Sequence, residues 1–88
     1  MKAIYKFEAD FGRYGVLRGL FLADKSEVKY LIGKELYFYE VLGKHSEIRF
    51  ECKEDHITRL ETSFTYTDWF ETTFGDSFGI DPRNFVCD

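Results

Sequence analysis

The sequence predicts an α+β domain. It has a small, largely antiparallel sheet of four to five strands with two short helices on one face, in the order β-β-α-β-β-β-α. Three observations carry this. Residues 3–11, AIYKFEADF, alternate apolar and polar side chains, which is the period of a half-buried strand. Residues 24–33, DKSEVKYLIG, set Val28, Leu31 and Ile32 at i, i+3, i+4 between a capping pattern and a glycine, which is the period of a short amphipathic helix. Strand-like and helix-like runs are mixed along the chain, which favours an antiparallel sheet with helices laid on it.

In the first strand Ala3, Tyr5, Phe7, Ala9 and Phe11 share one face, and Lys6, Glu8 and Asp10 share the other. GRYG (12–15) follows, and its paired glycines suit the positive φ of a tight connection. Residues 16–23, VLRGLFLA, read as the hairpin partner. Their denser apolar character suggests an inner strand, and Gly19 marks a bulge or a close backbone approach. Asp24 with Glu27 then forms a capping-box pattern, with Asp in place of Ser or Thr, and Gly33 suits the position just past the helix.

Residues 34–42 return as a strand, and 47–53 as another with Ile48, Phe50 and Cys52 inward and Glu47, Arg49, Glu51 and Lys53 outward. The connection GKHS between them reads as a hairpin loop of three to five residues. Residues 56–62 are a further strand, although Ile57 and Leu60 lie three apart. Thr67 or Asp68 reads as the N-cap of a second helix, DWFETTF, closed by Gly75, with Trp69, Phe70 and Phe74 as its apolar face. Pro82 suits the first turn of a short final helix, held down by Phe85 and Val86.

The chain has 88 residues without a linker-like stretch, so one domain spanning 1–88 is expected. Apolar residues make up 44% and aromatic residues 19%, which places it in the globular class. Ten Phe, six Tyr and one Trp are more rings than a core of this size can bury. Some aromatic surface is therefore expected to face solvent, a common feature of interfaces.

The net charge is −4, divided as +1 over residues 1–43 and −5 over residues 44–88. Without a Lys/Arg cluster, direct nucleic-acid binding is not expected. Twelve basic residues interspersed with the acids also argue against a nucleic-acid mimic. No signal-peptide or membrane-spanning run is visible, so a cytoplasmic protein with two free thiols, Cys52 and Cys87, is expected. These cysteines, His45 and His56 lack metal-ligand spacing, and neither a metal nor another cofactor is expected.

The candidate binding residues are Lys44, His45, Ser46 and Glu47 of GKHSE, Arg13 and Tyr14 of GRYG, and Glu40. GKHSE is either a solvated hairpin turn or a presented tip in which Lys44 and His45 donate and Glu47 accepts. His45 beside Ser46 makes no catalytic dyad, because neighbouring side chains point apart. His56 is the one remaining base. Glu40 interrupts the apolar run LYFYEVL and is either an ordinary solvent-face residue or a pocket anchor partnered by Arg18 or His45. GRYG lacks the spacing of a phosphate-binding loop and is either a hairpin turn or a small binding loop.

The block GKELYFYEVLGKHSEI and the close Gly79-to-Phe85 pattern G-x-D-P-x-N-F resemble a family of small, uncharacterised proteins from phages and bacterial mobile regions. The likeness spans most of the chain, with Tyr39 where that family tends to carry glycine. The resemblance implies that GKHSE is a recognition tip rather than a plain turn, and it implies no particular activity. Proteins of that setting resemble anti-CRISPR proteins in kind: short, acidic, single-domain and without catalytic machinery.

The expected function is thus a non-enzymatic phage or mobile-element accessory protein. It would bind a host protein, such as a component of a bacterial defence system, through the tip and exposed aromatics. A homodimer is a further arrangement to test. The alternative is a binder that sequesters a nucleotide-like signal, using Arg13, Arg18, Lys44 and His45 for charge and Tyr14 or Tyr39 for stacking. A third option is a module whose partner adds a strand to a sheet edge.

Overall fold

The computed structural model describes residues 2–38, 47–61 and 63–87, with the backbone alone for Tyr14. Strands β1 (Lys2–Asp10) and β2 (Val16–Asp24) form the expected hairpin, paired from Lys2 opposite Asp24 to Asp10 opposite Val16. Its turn is a single 3-10 turn over Gly12–Tyr14, with Gly12 at φ 62° and Gly15 at φ 113°. The Gly12 N–H donates to Asp10 Oδ1 at 2.8 Å, and the Phe11 N–H to the Gly15 carbonyl at 2.9 Å.

Helix α1 (Lys25–Leu31) starts where the sequence places it. The capping box forms, with the Asp24 N–H donating to Glu27 Oε2 at 2.8 Å. Gly33 takes φ 90° just past the end, the geometry that makes glycine useful there. Strands β3 (Glu35–Phe38) and β4 (Ile48–Glu51) pair antiparallel, from Glu35 opposite Glu51 to Phe38 opposite Ile48. They form a separate two-stranded sheet rather than extending the first. The expected loop of three to five residues lies outside the described residues.

Strand β5 (Ile57–Arg59), helix α2 (Phe64–Phe74) and strand β6 (Ser77–Gly79) follow. The main sheet has the order β5-β1-β2-β6, with each neighbouring pair antiparallel. β2 is accordingly an inner strand. Gly19 lies opposite Gly79, and a Cβ on Gly19 would overlap the Ile80 carbonyl. This is the close approach that a glycine inside a strand signals.

Two expectations are corrected. Helix α2 begins one turn earlier than Thr67 or Asp68. Ser63 is its N-cap, its hydroxyl accepting from the Tyr66 N–H at 3.3 Å, and Thr67 lies inside the helix with its hydroxyl donating back to the Ser63 carbonyl. The helices also do not share a face. Leu31 of α1 packs with Tyr5, Phe7, Phe21 and the β3–β4 residues Leu36, Phe38 and Ile48. Phe70 of α2 packs with Ile4 and Leu22, which alternate with the first set along β1 and β2 and so project from the other face. Two cores follow: a large one under α1 and the second sheet, and a small one under α2.

The large core is aromatic. Phe38 stacks on Phe85 at 4.3 Å between ring centres and on Phe50 at 5.7 Å, and Phe7 lies 6.0 Å from Phe38. The C-terminal tail closes over it through a 3-10 turn at Pro82–Phe85. The Cys87 N–H donates to the Glu35 carbonyl at 2.8 Å, and Val86 bridges to Leu36. Arg83 fastens the turn. Its Nε and Nη2 donate to Asp81 at 3.0 and 2.8 Å, its Nη1 donates to Glu27 at 3.1 Å, and its guanidinium lies over the Phe21 ring. Cys52 and Cys87 are free thiols.

Candidate protein-interaction surface

Of the residues singled out in the sequence, Lys44, His45, Ser46 and Glu40 lie outside the described residues, as does the Tyr14 side chain. Arg13 is exposed in the β1–β2 turn and Glu47 is exposed just before β4. Arg18, considered as a partner for Glu40, pairs with Glu8 at 2.7 Å. His56 is committed to local structure. Its Nδ1 accepts the Lys53 N–H at 3.1 Å and its ring meets Phe50 edge-on at 5.0 Å. An Nδ1 that accepts leaves the neutral ring's proton on Nε2.

The feature that stands out lies elsewhere. The sequence pattern places Trp69, Phe70 and Phe74 on one apolar face of α2, but of these only Phe70 is buried, at 2% exposure. Trp69 is 50% exposed and Phe74 37%, and with Tyr66 and Phe78, each at 57%, they form one continuous ridge. Tyr66 meets Trp69 edge-on at 5.5 Å, Trp69 meets Phe74 at 5.7 Å, and Phe74 meets Phe78 at 4.8 Å. Such edge-on and tilted contacts are favourable ring geometries.

Local structure explains the ridge. In α2, Tyr66 and Trp69 are three residues apart and share a flank, while Phe70 turns one step inward onto Ile4 and Leu22. After Gly75, at φ 74°, the chain reverses into β6. Phe78 then lies opposite Leu20 on the same sheet face as α2. The ridge therefore runs from the helix onto the sheet and ends at an open groove of about 390 Å³ lined by Lys6, Glu8, Arg18, Leu20 and Phe78.

Charged side chains flank it, and Lys2 of β1 lies 3.9 Å from Glu71 of α2. Residues 60–82 hold five carboxylates and no Lys or Arg, and α2 has no basic residue in its last turn. The negative end of the helix dipole is therefore left without a cation from its own last turn. At the sheet end, Lys6 and Arg18 share the single carboxylate of Glu8, at 4.0 and 2.7 Å.

A depression of about 480 Å³ beside Arg83, Glu27 and Tyr30 is larger but already satisfied, since Arg83 is held by Asp81 and Glu27. Among the described residues no group of three or more His, Cys, Asp or Glu side chains could hold a metal ion, and no helix is long and apolar enough to cross a membrane. The fold and surface define a small α+β domain with an exposed aromatic ridge. No family model, curated protein or solved structure matches the chain.

The excess of rings was visible in the composition. Which rings stay outside was not, because that depends on what the sheet offers opposite each turn of α2.

Proposed function

We propose that this chain is a non-enzymatic accessory protein that acts by non-covalent binding to a host protein, with the Tyr66–Trp69–Phe74–Phe78 ridge as its contact surface. The observation that carries this reading is four touching rings left in solvent by a chain that buries other Phe side chains completely. Aromatic anchors of this kind supply much of the binding energy at protein interfaces. A phage or mobile-element origin, and inhibition of a defence system such as CRISPR, rest on the resemblance of GKELYFYEVLGKHSEI alone. The nucleotide-sequestering alternative has less support, since Arg18 is already paired with Glu8.

The test is affinity capture from a bacterial lysate with three baits: wild type, Trp69→Ala/Phe78→Ala, and Lys44→Ala/His45→Ala/Glu47→Ala. A host protein retained by the wild type and the tip variant, but lost from the ridge variant, is the expected result. Loss only from the tip variant moves the contact surface to GKHSE. Equal capture by all three baits removes both surfaces from the account.

A further inference from the structure

The face of the main sheet opposite the ridge carries an open groove of about 270 Å³ between α1 and β5. We propose that this groove is a second binding site, which takes an extended acidic peptide with an apolar residue between its carboxylates.

One flank of α1 and the edge of the sheet build the groove. Lys25, Val28, Lys29 and Ile32 follow i, i+3, i+4, i+7 spacing, so they lie along one side of the helix. Across from them, Arg59 lies opposite Tyr5 and Ile57 opposite Phe7, which puts both on the α1 face with those rings. Tyr5, Val28, Ile32 and Ile57 make the lining apolar. Val28, Ile32 and Ile57 are only partly buried against the large core, so apolar area is left for a ligand.

Charge gives the class of ligand. Lys25, Lys29 and Arg59 line the groove with a single carboxylate, Glu54, a local +2 on a chain of −4. Of the charged residues next along the chain, Asp24, Lys53, Asp55 and Glu61, none lines it. Glu27 of α1 is turned to Arg83 instead. Lys25, Lys29 and Arg59 form no ion pair among the described residues, whereas Arg18, Arg49 and Arg83 each hold a carboxylate. Three unpaired cations around an apolar floor are complementary to carboxylates carried on an apolar body.

The backbone selects a peptide over a free organic anion. β5 is an edge strand, paired only with β1 among the described residues. Thr58 lies opposite Lys6, and the Leu60 N–H donates to the Ile4 carbonyl at 2.9 Å, so Thr58 and Leu60 direct their polar groups at β1. Arg59 between them turns its N–H and carbonyl outward, and neither has a hydrogen-bond partner among the described residues. A strand laid on that edge satisfies both groups. Its alternate side chains, about 7 Å apart, then fall over the groove. Acids reach the cations while the apolar residue between them covers the floor.

Groove and ridge lie on opposite faces, so different variants test them. The experiment is an amide NMR titration of the full 88-residue chain with the capped peptide Glu-Thr-Leu-Thr-Glu. Three other probes run beside it: Lys-Thr-Leu-Thr-Lys, the acidic peptide N-methylated at its Glu and Leu residues, and octanoate. The acidic peptide should give saturable shifts at Lys25, Lys29 and Arg59 with a Kd of about 1 mM or tighter. The other three probes should bind at least tenfold more weakly.

Lys25→Glu/Lys29→Glu should weaken binding of the acidic peptide at least tenfold with the far-UV circular dichroism unchanged. Trp69→Ala/Phe78→Ala should leave it unaltered, which separates this site from the ridge. No saturable shift up to about 10 mM acidic peptide overturns the proposal, as does binding indifferent to the lysine substitutions. Octanoate or the N-methylated peptide binding as tightly as the acidic peptide also overturns it, because the strand edge is then not used.

Discussion

Gly19→Ala is the substitution whose cost the structure dictates most directly. A Cβ at this position would run into the carbonyl, nitrogen and carbonyl carbon of Ile80. These are backbone atoms, which cannot swing aside as a side chain can. Relief requires β6 to move off β2, which puts at risk the Ile80 N–H to Arg18 carbonyl bond at 3.0 Å and the Leu22 N–H to Asp76 carbonyl bond at 2.8 Å. Losing one such bond costs about 1 kcal/mol, and forced overpacking adds about 1–3 kcal/mol. A total of about 3 kcal/mol is expected, and at about 4–8 °C per kcal/mol for a domain of this size Tm should fall by roughly 12–24 °C. The assay is urea and thermal unfolding followed by Trp69 fluorescence and far-UV circular dichroism. Gly12→Ala is the internal control. Gly12 has φ 62° and nothing within 4 Å of an added Cβ, so it should cost only the left-handed backbone term of about 1–2 kcal/mol. If Gly19→Ala costs no more than Gly12→Ala, the claimed clash with Ile80 is wrong.

Three further outcomes are expected. Arg83→Ala should destabilise by about 3 kcal/mol in urea melts, because it leaves the Asp81 carboxylate, 6% exposed, buried without its cation. Arg83→Lys should recover little of this, since one ammonium cannot reproduce the two-pronged contact. Cys52 is fully buried, and burial pushes its thiol from the usual 9.0 up to about 11. A raised thiol value means that its contribution is fully present below pH 9 and is lost as pH rises through 11, by at most about 3 kcal/mol. The difference between wild-type and Cys52→Ala stability should therefore shrink between pH 8 and pH 11, and a constant difference would refute it. Phe70→Ala should cost about 3–4 kcal/mol, whereas Tyr66→Ala and Phe78→Ala should each cost under about 1 kcal/mol, as measured by the same melts.

The large core was legible because its strands alternate cleanly. The positions 3, 5, 7 and 9 are buried as their period demands, and Ile48, Phe50 and Cys52 face inward. The small core left a single mark. Ile4 is an apolar residue at an even position among Lys6, Glu8 and Asp10, and that interruption is where α2 sits. Taken as a break in the pattern, it places the second helix on the opposite face. The strand β6 left no mark at all. GDSFGID has the composition of a loop, and it becomes a strand because Gly19 and Gly79 let two backbones approach. The start of α2 was hidden because Phe, Thr and Tyr favour strands, while the Ser63 cap and the packing of Phe70 on Ile4 and Leu22 favour the helix.

The ridge follows from how little apolar area the α2 face of the sheet provides. On that face β1 contributes Ile4 and then Lys6 and Glu8, while β2 contributes Leu22 and Leu20 and then Arg18. One inward ring from α2, Phe70, is enough to cover Ile4 and Leu22. The opposite face is already filled by α1, the β3–β4 sheet and the C-terminal turn. Tyr66, Trp69 and Phe78 thus have no core left to enter, and polar residues at these positions would fold as well. These rings touch one another across a helix and a strand, and they are the contact surface of the proposed function. That is why the low stability cost expected for Tyr66→Ala and Phe78→Ala bears on function. If removing them unfolds the protein, the ridge is an exposed edge of the small core, and the host-binding reading loses its basis.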